Sequence, residues 1–181
     1  MLQTVALHDH LPAGLAADAS GAIWMADSAH TAMRFSGGQL MTFDLGGNLN
    51  NVAVDSSGDA WFAGGNTAVA TALAALGAVV TSARVPGDQS GGFPWGLAID
   101  AAAHVWASNT DLDGPVAEVD ASGSLVGNSS DQAFTGALTG LVIDHAGNVW
   151  VGNLAGDSLV EIVKAAHGPQ YFPFAGPVFP L

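Results

Sequence analysis

One motif recurs four times along the chain and constrains its fold more than any other feature. Each copy is a short apolar run that ends in Asp, followed by a turn and then by a Trp six residues after the Asp. The four pairs are Asp18 and Trp24, Asp55 and Trp61, Asp100 and Trp106, and Asp144 and Trp150. Successive Asp residues of the motif lie 37, 45 and 44 residues apart, close to the roughly 40 to 50 residues of a unit of four short strands. The chain is therefore a repeat protein, and four units fill most of its 181 residues.

Within each unit the apolar runs are short and are bounded by Asp, Gly, Ser and Asn, which is typical of strands joined by tight turns. The composition agrees, because the chain has 24 Gly and most of its acidic residues are Asp. The sequence predicts an all-β chain with units near 14–45, 51–85, 96–130 and 140–166 and a Pro-rich tail at 167–181. In each unit strand A ends at the Asp and strand B contains the Trp, whose identical register in every unit predicts a core position between neighbouring units. Strands C are predicted at 31–35, 67–73, 115–119 and 158–163, and strands D at 39–43, 78–82 and 124–127.

The turn between strands A and B has a local cause. Asp accepts backbone N–H bonds from the turn that it starts, and Gly three residues later takes the positive φ that closes the turn. In the third copy Ala103 replaces that Gly. We expect this turn to be strained or of a different type.

These residues resemble the NHL-repeat family of β-propellers, whose motif reads approximately Gly-Ile-Ala-Val-Asp-x-x-Gly-Asn-Val-Trp-Val-Ala-Asp. The best match is Gly140 to Asn153. The chain is also similar to virginiamycin B lyase-like propellers and to long bacterial NHL-repeat proteins. The resemblance implies blades of four strands and, together with the low Lys content, a bacterial protein that is secreted or periplasmic.

The blade count leaves two arrangements open. The resemblance implies about six blades, whereas four are visible, so the chain is either an open arc of a larger ring or a closed ring of four. Closure would use residues 3–7 as strand D of the fourth unit. The Pro-rich tail is not expected to form a central strand. The open arc is the preferred interpretation, and its exposed blade edges then predict self-association.

In a propeller the D-to-A and B-to-C loops open on one face, so the repeat register predicts a cluster of polar groups there. The members of this predicted loop face are His10, Asp27, His30, Asn50, Asn66, Asp88, Trp95, Asn109, Asp111, Asp113, Thr139, Asn153 and Asp157. Their oxygens are the ligands that a divalent cation such as Ca²⁺ or Mg²⁺ prefers. The simpler interpretation, which we favour, is that the Asp and Asn residues only make turns.

Two members of this set differ from ordinary turn residues. His8 and His10 would share a face if residues 8–10 were extended, and two imidazoles can bind a transition metal or act as acid and base. A solvated edge is the more economical explanation of these two His residues. Trp95 lies outside the repeated Trp register, and we expect it to be an exposed ligand contact on an extended loop.

Charge and missing motifs exclude several functions. The net charge of −13 opposes nucleic-acid binding, and the uncharged stretch 67–83 is too short to span a membrane. Without Cys there is no disulfide and no thiolate site.

Two hypotheses about function remain. The first is a non-enzymatic module that binds a protein or glycan through its loop face. The alternative, which the resemblance implies, is a metal-assisted lyase or lactonase, although Glu118 and Glu161 fall in strand C, away from that face.

Overall fold

The fold is described from a computed structural model for residues 4–64, 69–85, 94–110, 116–129, 137–163 and 179–180. These residues form four antiparallel sheets of four strands each, arranged in chain order, and none of them lies in a helix. The predicted all-β class and the four-stranded units are thereby confirmed. No described segment is a helix with the length and apolar character needed to cross a membrane.

The strands follow the predicted order A to D within each sheet. The first sheet contains β1 (Pro12–Ala17), β2 (Ile23–Asp27), β3 (Thr31–Ser36) and β4 (Gln39–Asp44). The second contains β5 (Leu49–Val54), β6 (Ala60–Gly64), β7 (Val69–Leu73) and β8 (Val79–Arg84). The third contains β9 (Pro94–Ile99), β10 (Val105–Asn109), β11 (Val116–Val119) and β12 (Leu125–Ser129). The fourth contains β13 (Leu138–Ile143), β14 (Val149–Asn153), β15 (Ser158–Ile162) and β16 (Phe179–Pro180).

The outer strand of the fourth sheet comes from the Pro-rich tail. β16 pairs with the start of β15, Leu159 opposite Phe179 and Ser158 opposite Pro180. Residues 4–7 form no strand, so the alternative in which residues 3–7 complete this sheet is wrong for the described residues; residue 3 lies outside them. Pro is tolerated in β16 because an edge strand need not donate every backbone N–H to a neighbour.

Three apolar cores lie between successive sheets, and each is centred on a repeated Trp. Trp24 packs on Phe62 of the second sheet, with ring centroids 5.9 Å apart. Trp61 packs in a cluster with Val105 of the third sheet, and Trp106 in a cluster with Val149 of the fourth. Burying an aromatic side chain of this size contributes several kcal/mol per site. The predicted burial of the repeated Trp between blades is confirmed at these three positions.

The fourth Trp is different. Trp150 remains partly exposed, because no further sheet packs on its face within the described part of the chain. The expectation that every strand-B Trp lies between two blades is therefore wrong for Trp150. Its motif is intact, but the neighbouring blade that would bury it is missing from the described residues.

The Asp turns form as predicted. Asp55 Oδ1 accepts N–H bonds from Ser57 and Asp59 at 2.9 and 3.0 Å, and its Oδ2 accepts a bond from Trp61 Nε1 at 3.1 Å. Gly58 has a φ of 87°. Ala103 takes the same left-handed conformation, with a φ of 63°. The third turn is thus strained and of the same type as the others, because the bonds to Asp100 outweigh the cost of placing Ala there.

The strand registers place the two kinds of connection at opposite ends of the sheets. Strand A begins opposite the last residue of strand B in each case, for example Pro12 opposite Asp27 and Leu138 opposite Asn153. The D-to-A and B-to-C connections therefore share one end, which we call the loop end. The Asp turns occupy the other end.

Candidate functional site

Strand A of every sheet is irregular at the same place, one residue from its start at the loop end. In the first two sheets the pairing skips Ala13 and Asn50, which have no partner on strand B. In the third it skips Trp95, and in the fourth Thr139 and Gly140 together face a single residue. Such β-bulges redirect a side chain out of the regular pleat. We call the four residues Ala13, Asn50, Trp95 and Thr139 the bulge row.

The bulge row is continuous from sheet to sheet because the A strands lie side by side. β1 contacts β5, β5 contacts β9, and β9 contacts β13. A Cβ placed on Gly14 would come 2.8 Å from Asn51 Cα, and one on Gly96 would come 2.7 Å from the Thr139 carbonyl oxygen. Neighbouring A strands therefore meet backbone to backbone, and successive members of the row lie on adjacent strands.

Two polar side chains fix the spacing of these strands. Asn50 Nδ2 donates to the Pro94 carbonyl at 2.9 Å and so ties the second sheet to the third. The buried Ser108 hydroxyl accepts the Gly96 N–H at 3.0 Å and donates to the Thr139 carbonyl, which ties the third sheet to the fourth. Sequence analysis did not single out Ser108. The signal that could have identified Ser108 is its hydroxyl, which directly follows the apolar start of strand B.

Trp95 is the most accessible large side chain of the row. It is 48% exposed, whereas Asn50 and Thr139 are half-buried. We expected Trp95 on an extended loop; the structure instead places it as the second residue of β9. The indole is therefore held on a strand whose neighbours are fixed by hydrogen bonds, which lowers the entropy lost when a ligand packs against it.

A His–Asp pair occupies the loop end of the first sheet. Asp27, the last residue of β2, is fully buried, and its Oδ2 lies 2.6 Å from His10 Nδ1. Its Oδ1 accepts the Leu11 and Ala29 N–H groups, both at 2.9 Å. Burial raises the pKa of Asp27, but the bonds from Ala29, His10 and Leu11 outweigh it and the net pKa is lowered. The ionised carboxylate orients the imidazole so that Nε2 is its remaining polar atom.

The extended conformation that would place His8 and His10 on one face does not form. Residues 8 and 9 form a turn, in which His8 has a φ of 50° and the His10 N–H donates to the Leu7 carbonyl at 3.2 Å. Among the described residues, neither His belongs to a group of three acidic or imidazole side chains close enough to share a metal ion.

One such group lies at the opposite end of the sheets. Asp100, His104 and Glu118 have ligand atoms within 4.8 Å of one another, and His104 Nδ1 lies 2.6 Å from Glu118 Oε1. The fourth sheet has Asn148 and Glu161 at the equivalent positions, joined at 2.8 Å. This recurrence favours a structural role, in which each cluster ties the Asp turn to strand C.

The other described residues of the predicted loop face are divided between exposed turns and buried strand ends. His30 and Asp157 are exposed in B-to-C turns, with φ values of 80° and 44°. Asn109 and Asn153 are buried. Asn153 accepts the Gly156 N–H and donates to Ser158 Oγ, both at 3.2 Å, as a turn residue would. The predicted members that lie outside the described residues are Asn66, Asp88, Asp111 and Asp113.

No family model matches the chain, and no curated protein sequence matches it. Solved structures do match. A catalytically inactive histidine-to-alanine variant of virginiamycin B lyase from Staphylococcus aureus, with quinupristin, superposes with a TM-score of 0.77 at 14% identity over 90% of this chain and 55% of that one. A protein of unknown function from Bacteroides caccae gives a TM-score of 0.66 at 13% identity, over 88% of this chain and 59% of that one.

The WD40 β-propeller domain of Doa1 gives a TM-score of 0.62 at 17% identity, over 77% of this chain and 45% of that one. The chain thus spans little more than half the length of the first two structures and less than half of the third. Identities this low establish the fold alone. The four sheets are blades of a β-propeller and form part of a ring.

Proposed function

We propose that this chain is an NHL-type propeller module that binds a ligand at the bulge row, and that it acts without catalysis. The observation that carries the proposal is the position of Trp95, an exposed indole on a rigid strand between Asn50 and Thr139. Exposed aromatic side chains held in this way are preferred contacts for ligands, because they offer a large contact area and lose little entropy on binding.

The chemistry of the row favours a neutral ligand. An indole, an amide and a hydroxyl offer a stacking surface with hydrogen-bonding groups beside it, which suits the CH face and hydroxyls of a sugar. The net charge of −13 disfavours phosphorylated or acidic ligands. A glycan is therefore the preferred ligand class and a protein segment the next. An extracellular glycan also agrees with the export that the family resemblance and the low Lys content imply.

A glycan array tests this proposal. The labelled chain and its Trp95→Ala variant are compared on the same array, with Leu76→Ala as the matched control because Leu76 is exposed in a turn of the second sheet, outside the bulge row. We expect Trp95→Ala to weaken binding at least about tenfold, as for a loss of 1.4 kcal/mol or more, and Leu76→Ala to leave binding unchanged. Equal binding by the parent and Trp95→Ala would contradict the proposal.

The His10–Asp27 pair supports a second candidate, an acid–base lyase or lactonase. The buried carboxylate holds one ring nitrogen of His10 and leaves the other for proton transfer, as a catalytic pair requires. The similar S. aureus lyase is inactive when one of its histidines is replaced by alanine. A divalent cation, Ca²⁺ or Mg²⁺, would polarise the substrate in such an enzyme. Asp27 already accepts three hydrogen bonds, so this carboxylate is poorly suited to bind the cation as well.

Quinupristin is the probe for this second candidate. The chain is incubated with quinupristin and Mg²⁺, and conversion is followed by mass spectrometry. If the chain is a lyase of this type, His10→Ala abolishes conversion, whereas His30→Ala, at an exposed turn, retains it. Absence of conversion by the parent chain would count against the lyase and leave the binding proposal unaffected.

A further inference from the structure

The face of the fourth sheet that points away from the third sheet, called here its outward face, is apolar and has no described sheet packed against it. Trp150 on this face is partly exposed, and beside it on β13 Val142 is 63% exposed. A Cβ on Gly140 would meet no atom of the described part of the chain within 4 Å, whereas a Cβ on Gly14 or Gly96, at the same repeat position, would meet the backbone of the next sheet. The space that a following blade fills beside the first and third sheets is thus occupied by none of the described residues beside the fourth.

The outward face of the first sheet is the complementary half. Its residues Leu15, Ile23, Met25 and Phe35 stand at the repeat positions of four apolar residues of the fourth sheet. Those four residues are Leu141, Val149, Val151 and Ile162, and they belong to the core that buries Trp106. The first sheet therefore has the side chains that receive a Trp from a preceding blade.

This receiving face is only partly covered. The N-terminal segment lies against it, and Val5 and Leu7 border a groove of about 370 Å³ together with Ile23, Met25 and Phe35. Leu15 on the same face remains 67% exposed. Met25 is only 6% exposed, so the segment is a partial cover that a docking sheet would displace, and Leu15 is the apolar surface already accessible.

We propose that a second copy of this chain supplies the missing half, so that the fourth sheet of one copy packs on the first sheet of the other. No stretch of the 181 residues outside the four sheets is long enough to form another blade, the longest being 163–178. The three internal interfaces show what fits the open faces, and the chain carries both halves of that fit. Such a head-to-tail contact made twice closes a ring of eight blades, within the range that propellers adopt.

Charge sets the conditions for association. Two copies, each with a net charge of −13, repel one another, while the contact itself buries apolar side chains. Salt screens the repulsion and leaves the apolar contribution intact, so association is expected to strengthen between about 0.15 M and about 1 M NaCl. An interface held by ion pairs would respond in the opposite direction.

Sedimentation velocity on the full chain, over about 1 to 100 µM, provides the test. The expected result is a species of twice the 18.1 kDa chain mass that grows with concentration and salt. Leu15→Asp and Val142→Asp each place a charge on one of the two faces, and each variant alone is expected to remain monomeric. Leu76→Asp is the matched control, because Leu76 is 84% exposed and lies on neither face. Unchanged thermal melts of the three variants show that they are folded.

A mixture of the two face variants separates this proposal from other modes of association. The Leu15→Asp copy retains an intact fourth sheet and the Val142→Asp copy an intact first sheet, so the mixture forms one head-to-tail contact and recovers the dimer. Self-association of Leu15→Asp alone would indicate a contact between two fourth sheets and overturn the proposal. A parent chain that stays monomeric throughout would also overturn it, and would assign the open faces to blades outside these 181 residues.

Discussion

Trp106 and Trp150 occupy the same position of the same motif but differ in their surroundings. Both indole N–H groups donate to the Asp six residues earlier, at 3.3 and 3.0 Å respectively. Trp106 is 1% exposed because the fourth sheet covers it, whereas Trp150 has no such cover among the described residues. The motif therefore determines the structure within a blade, and the next blade determines how much each Trp contributes to stability.

The largest expected difference comes from truncating these two residues. Trp106→Ala should lower the free energy of unfolding by about 3 to 5 kcal/mol, since it opens a cavity in a closed core. Trp150→Ala should cost less than about half as much, because solvent already reaches that side chain. Urea unfolding of both variants at a concentration where the chain is monomeric measures the difference. Equal losses would mean that the outward face of the fourth sheet is covered in solution.

Two glycines sharpen the same comparison. Gly96→Ala brings a Cβ within 2.7 Å of the Thr139 carbonyl oxygen and must push two A strands apart. Gly140→Ala meets no atom of the described residues within 4 Å. We expect the first change to cost about 1 to 3 kcal/mol, as overpacking does, and the second to be close to neutral. Thermal melts of the pair distinguish the two outcomes, and a neutral Gly96→Ala would contradict the close strand contact.

A smaller effect concerns the turns, which should not depend on whether a blade is internal. Ala103→Gly relieves a left-handed Ala and is expected to stabilise the chain by about 0.5 to 1 kcal/mol. Gly147→Ala, at the same turn position of the end blade and with a φ of 88°, should destabilise it by a similar amount. If the two changes do not have opposite signs in urea unfolding, the turns are not equivalent.

The last predicted effect is the response of the first turn to acid. The Ser20 hydroxyl is the largest cause of the lowered Asp18 pKa, about 2, while burial opposes it and the Ala22 N–H and Arg34 lower the pKa further. The unfolded chain takes up this proton at a higher pH than the folded chain does. Stability from Asp18 is therefore present above about pH 4 and is lost as the pH falls towards 2. Asp18→Asn should make the melting temperature depend less on pH between about pH 4 and pH 2. An unchanged slope in this range would contradict the role given to Asp18.

The sequence predicted the sheets well because the repeat, the Asp turn and the apolar inner strands are all local signals. β16 was missed because two residues of a Pro-rich tail show no alternation from which a strand can be inferred. Trp95 was recognised as exceptional from its register alone. The bulge that holds it was not predicted, since a bulge depends on which residues pair across two strands. The pairing of His10 with Asp27 likewise depends on how residues 4–11 return to the first sheet.

The Asp turns also bear on how the chain reaches its native state. Each links strands A and B through contacts no more than six residues apart, as between Asp144 and Trp150. Contacts this close in sequence close small loops, which form quickly and cost little chain entropy. Any of the four A–B hairpins can therefore serve as a folding nucleus, and sheet packing follows by growth along the array. In a chain emerging from the ribosome, the first blade can assemble before the last one has been synthesised.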